Sequence, residues 1–145
     1  MPYREPLILP REHKQSPRQA ISIRQPWAEL ILRREKLMEF RLWRLPEKYW
    51  HRWLWLHVPA AMNGKEKETA RRIFGSLVLP LGGFVGHVRF GHPTWDYTPD
   101  EGRSYTGLPR CWCWPVMGAE RTDFIPARGK LRIFTVEISE ESPES

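Results

Sequence analysis

The chain has 145 residues, with 23 basic against 17 acidic side chains, a net charge of +6 and eight tryptophans. That length holds about one domain and buries roughly two thirds of its unfolded surface, so a core forms without disulfide or metal staples. No run reaches the roughly 20 apolar residues of a membrane span, and Leu7-Ile8-Leu9, broken by Pro10, is too short for the apolar centre of a signal peptide.

Residues 1–19, rich in Pro, Arg, Lys and Gln, read as a basic, loosely ordered arm, and residues 139–145 as an acidic tail. The domain is expected over 20–138. Ala20–Ile23 reads as its first strand, and Pro26 stands at a good helix start because its missing N–H costs nothing there. The helix is expected to run to about Arg34, with Trp27, Leu30 and Ile31 on its buried face. Leu37–Leu42 alternates as a strand, putting Glu39 and Arg41 on one face and Met38 and Phe40 on the other.

Pro46–His51 reads as a short helical turn, Trp53–Val58 as a strand, and Gly64–Phe74 as a charged helix with Ala70, Ile73 and Phe74 inward. Gly83–Phe90 is the next strand, where Gly86 signals a bulge or a close approach. His92–Pro109 is a long polar loop. Arg110–Trp114 and Lys130–Ile138 are the last two strands. Short strands outnumber helices, which predicts an α+β fold built as a small barrel or half-barrel with two or three short flanking helices.

Cys111 and Cys113 face one side of a strand but are too close in sequence for an unstrained disulfide. A reduced, cytoplasmic protein is therefore expected. His57, His87 and His92 with these cysteines lack the Cys-x₂₋₄-Cys spacing of structural zinc, so neither metal nor cofactor is expected. The basic charge suits nucleic acid as a partner. Lys36, Glu39 and Arg41, set close together after an aromatic-rich helix, point to a polar cleft for an anionic ligand.

The Gln25-Pro26-Trp27 turn followed by Lys36-x-x-Glu39-x-Arg41 resembles the ASCH domain family (activating signal cointegrator homology), of the PUA-like superfamily of small β-barrels. The family motif is Gly-x-Lys-x-x-Glu-x-Arg. Arg34 stands in the place of its Gly, which predicts a differently shaped turn before Lys36. The likeness extends to Leu54–Ala60, Gly83–Val88, Trp112–Trp114 and Ile125–Lys130, and so covers about 20–138.

The resemblance implies a cleft beside the barrel for single-stranded RNA or a modified nucleotide. Lys36 and Arg41 would meet phosphate, with Arg24 and Gln25 beside the helix start. Gln25 would read a base edge, and Trp27, Trp43 or Trp114 would stack a base. Arg128 belongs to the basic turn before the last strand.

Two enzymatic readings stay open. A metal-independent ribonuclease would use Lys36 and Arg41 as cations and Glu39, His57 or His87 as base. An amidohydrolase acting on an acylated cytidine would pair Lys36 with a Thr where Glu39 stands and with an acidic residue on the Gly83–Phe90 strand, and both of those are missing. A Trp-rich protein adaptor is the remaining class. The chain is expected to be a monomer or a dimer, with no membrane partner.

Overall fold

The computed structural model describes residues 17–100, 102 and 106–136. The acidic tail and most of the basic arm lie outside these residues. The elements are β1 (Gln19–Ser22), α1 (Trp27–Leu32), β2 (Met38–Arg41), a 3-10 turn (Glu47–Tyr49), β3 (Trp53–Val58), α2 (Gly64–Phe74), β4 (Gly83–Phe90), β5 (Thr94–Tyr97), β6 (Arg110–Pro126) and β7 (Ile133–Thr135).

The strands form one mixed sheet in the order β2-β6-β4-β3-β1-β7, with β5 also paired to β6. The α+β architecture is the expected one, but the sheet is open rather than closed into a barrel. Among the described residues no ladder joins the edge strand β2 to β1 or β7. A side chain spans that gap instead: Arg41 Nη2 donates to the Ser22 carbonyl at the end of β1, 2.8 Å away.

β1 and β3 are parallel, with Ser22 opposite His57, whereas the other ladders are antiparallel. Parallel pairing needs a crossover, and here it is made by α1, β2 and the 3-10 turn. It sets the carboxyl ends of β1 and β3 side by side, the place where open α/β sheets usually bind ligands.

The buried apolar residues form three clusters, one of them much the largest. Ile21, Ile23, Ala28, Ile31, Leu54, Leu56, Val85, Val88, Phe90 and Trp114 are buried in the largest. α1 departs from its expected face, since Ala28, Glu29 and Ile31 are buried while Trp27 and Leu30 are only half-buried. The buried Glu29 takes Arg121 of β6 on both oxygens, at 3.0 and 2.8 Å, and Arg33 at 2.7 Å. Burial alone would raise its pKa, but the hydrogen bonds from Arg121 and then Arg33 outweigh it and hold the carboxyl below its ordinary value. α1 is thereby clamped to the sheet by charge as well as by packing.

α2 begins in a capping box. The Asn63 side chain accepts from the Glu66 N–H while Glu66 accepts from the Asn63 N–H. Ala70 packs inward as expected, but Ile73 is exposed. Gly86 confirms the close approach read from sequence: it sits at a bulge, and an added Cβ would strike the Glu120 carbonyl.

β6 runs far past Trp114, and part of the expected His92–Pro109 loop is the strand β5. Cys111 and Cys113 point inward beside Phe40, as free thiols with sulfurs 4.0 Å apart. Burial, with Cys111 adding to it, pushes the Cys113 thiol up to about 11.

Candidate functional site

Two joined chambers open at the carboxyl ends of β1 and β3. The smaller, about 250 Å³, is lined by Arg24, Trp27, Glu39, Arg41, Glu66 and Arg132 among others. The larger, about 790 Å³, is lined by His57, Arg128 and the Gly82 and Gly129 turns. Ser22, Arg24, Pro59, Lys130 and Leu131 line both, so the chambers form one cleft.

Five cationic side chains, Arg24, Arg41, Arg128, Lys130 and Arg132, face two carboxylates, Glu39 and Glu66, around this cleft. Two of the cations are already paired. Glu66 grips Arg24 through Nε at 2.5 Å and Nη2 at 3.0 Å, and that hydrogen bonding raises the Arg24 pKa further. Glu39 Oε2 accepts from Arg41 Nε at 2.7 Å. Arg128, Lys130 and Arg132, in the turn between β6 and β7, have no carboxylate within ion-pair distance among the described residues. Their charge is the part available to an incoming anion.

The expected site residues separate into groups. Arg24, Trp27, Glu39 and Arg41 line the smaller chamber, whereas Lys36 and Gln25 do not. Lys36 shares the Glu39 carboxylate, with Nζ 3.8 Å from Oε1, but is itself buried. It donates to the Met38 carbonyl and lies over the Phe40 ring. Lys36 opens onto a different cavity of about 410 Å³, with Trp27, Thr69, Arg72 and Asp100. Trp27 lines both, and so stands between Lys36 and the cleft.

Gln25 is turned inward. Its Oε1 accepts from the Glu29 N–H at 2.9 Å and its Nε2 donates to the Pro80 carbonyl at 3.1 Å, so its amide braces α1 instead of facing a base. Trp114 is wholly buried. Trp43 stands edge-on to it at 4.8 Å and carries the Arg132 guanidinium on its ring at 4.7 Å. Arg128 is exposed on the wall of the larger chamber. His87 lies apart from the cleft, packed beside the Trp55 ring at 4.3 Å.

Sequence reasoning passed over Ser22, Lys130 and Arg132. Ser22 Oγ is 2.8 Å from His57 Nδ1, and His57 Nε2 is 2.8 Å from the Ala127 carbonyl. A carbonyl can only accept, so Nε2 carries the proton and Nδ1 accepts from the Ser22 hydroxyl. Burial lowers the His57 pKa, against the opposing pull of the Ala127 carbonyl, and so favours the neutral ring. Gly129 lies against this pair, and a Cβ there would fall 2.7 Å from Ser22 Oγ and strike the imidazole.

No protein-family model matches the chain, and no curated protein does. Solved structures do. The ASCH protein of Zymomonas mobilis superposes with a TM-score of 0.56 at 12% identity, over 82% of this chain and 87% of that one. Two single-residue mutants of the same bacterial protein superpose with TM-scores of 0.55, again at 12% identity and over 82% of this chain.

Proposed function

We infer that this chain, which has the fold of the ASCH proteins, is an RNA-binding protein of that family. It takes single-stranded RNA or a nucleotide in the two-chambered cleft. The observation that carries this reading is the run Arg128, Lys130 and Arg132, three cations without a carboxylate partner among the described residues, on the rim of the cleft that also holds Arg24 and Arg41.

Phosphates lie against the turn between β6 and β7, where arginine supplies a fork and lysine a point charge. The half-buried Trp27 lines the smaller chamber, and stacking of a base on an aromatic ring is worth about 1–3 kcal/mol. Such a cleft suits an unpaired strand, whose bases can splay, better than duplex. The free thiols Cys111 and Cys113 fit a reducing cytoplasm.

Fluorescence anisotropy with a mixed-sequence single-stranded RNA at low salt tests the reading. Binding is expected, weakened by Lys130→Ala and Arg132→Ala and weaker still in the double variant. Absence of binding at low salt, or binding indifferent to both substitutions, overturns it. The same RNA run on a gel in EDTA, with Lys36→Ala as control, reports whether binding leads on to cleavage.

A further inference from the structure

Ser22 and His57 are used by nothing in the binding reading, yet they are arranged as a reactive pair. They are partners in the β1–β3 register, and the hydroxyl donates to an imidazole whose far nitrogen is fixed by the Ala127 carbonyl. His57 is buried with both nitrogens engaged, so it meets a substrate only through the Ser22 hydroxyl. Ser22 is half-buried and lines both chambers. Arg24 and Lys130 line the same two chambers, and Arg128 lines the larger.

We propose that Ser22 is a nucleophile activated by His57, and that the larger chamber hydrolyses carboxylic esters of phosphate-bearing compounds. A hydroxyl held on a neutral, oriented imidazole is the arrangement that acyl transfer requires. Ser22 Oγ bonds to the ester carbonyl carbon while its proton passes to His57 Nδ1. The bond from that carbon to the alcohol oxygen breaks, and Nδ1 returns the proton to the leaving alcohol. Water then attacks the acyl-serine, giving its proton to Nδ1. The carboxylic acid leaves as Ser22 regains the proton.

Arg128 and Lys130, which line the same chamber, would supply the positive field for the oxyanion formed at each addition and for the substrate's phosphate. Gly129 is part of this design, because any side chain there would push into the pair.

The full chain is exposed to a fluorophosphonate probe, which forms a phosphorus–oxygen bond to an activated serine and expels fluoride. Intact mass and peptide mapping are expected to place one adduct on Ser22. Its rate of formation should fall about 100-fold or more in His57→Gln, and the adduct should vanish in Ser22→Ala. Millimolar AMP should slow labelling of the wild type, and 4-nitrophenyl acetate hydrolysis should follow the same order of variants. Mapping on the wild type needs no variant to fold. No adduct, an adduct at another residue, or labelling undiminished in folded His57→Gln overturns the proposal. Labelling indifferent to AMP overturns its phosphate-bearing substrate.

Discussion

Arg34 carries the left-handed turn that ends α1, at φ 61°. The turn is a left-handed cap of the kind that glycine favours. Glu35 N–H bonds to the Leu30 carbonyl at 2.9 Å and Arg34 N–H to the Ile31 carbonyl at 3.0 Å, the two bonds of a Schellman cap. An arginine therefore occupies a position where glycine has no steric penalty. A left-handed conformation costs an L-residue about 1–2 kcal/mol, while glycine returns about 0.4–1 kcal/mol through the freer unfolded chain. Arg34 is exposed, so little packing is lost. Arg34→Gly is expected to stabilise the fold by about 0.5–1 kcal/mol, seen as a higher midpoint in urea with an unchanged slope. A lower midpoint would mean that the arginine side chain contributes more than its backbone costs.

The parallel pair β1–β3 and the turn after β6 meet at one ring, so the titration of His57 is a property of these elements together. Its Nδ1 takes the Ser22 hydroxyl from β1, its Nε2 holds Ala127 after β6, and Phe84 of β4 and Phe134 of β7 flank it edge-on. The charged groups that share its chamber are Arg24, Arg128 and Lys130, and the lowering itself comes from burial against the opposing Ala127 carbonyl. The folded pKa lies below the ordinary 6.5, so the unfolded chain binds the proton more tightly. The stability from a neutral His57 is then complete above about pH 6.5 and is lost as pH falls from there to the lowered folded value. Urea midpoints at pH 8, 6.5 and 5 are expected to fall over that span and to fall less in His57→Gln; equal slopes in both would remove His57 as the cause. Glu29 titrates lower, because its own folded pKa lies below the ordinary 4.5. Much of this framework was legible in the sequence. β3, α2 and β4 have the expected bounds because alternation, a capping residue and glycine punctuation agree there. The second half of β6 was hidden by Pro115, Gly118 and the polar run from Glu120 to Asp123, where pairing with β4 sustains a strand that its own pattern does not announce. β5 was hidden because all four of its residues are exposed, so burial wrote no period into it. The motif spacing pointed to Glu39 and Arg41, which line the smaller chamber, but also to Lys36, which is buried and opens onto another cavity. Ser22 and His57 stand 35 residues apart, and only the parallel register brings them together.

At the scale of the molecule the charge of +6 is unevenly used, and the salt dependence of binding measures how. A cation held by a carboxylate releases few counterions when phosphate arrives, because its field is already answered. Arg24 with Glu66 and Arg41 with Glu39 fall in that class. Arg128, Lys130 and Arg132 do not, and they sit together on one rim of the cleft. For a single strand, each phosphate neutralised contributes about −0.7 to the slope of log K against log salt. Three such cations predict a slope of about −2 for single-stranded RNA. Lys130→Ala and Arg128→Ala should each flatten it by about 0.7. Arg24→Ala should leave the slope nearly unchanged even where it weakens binding, because it frees Glu66 as it removes a cation. Anisotropy titrations between about 50 and 200 mM salt measure all four slopes over the range where such contacts weigh most. If Arg24→Ala flattened the slope as much as Lys130→Ala, the Arg24–Glu66 pair would have to open on binding, and phosphate would be reaching into the smaller chamber. If no substitution changed the slope, the phosphates would lie elsewhere on the basic surface and the cleft would be free for the ester chemistry of Ser22 alone.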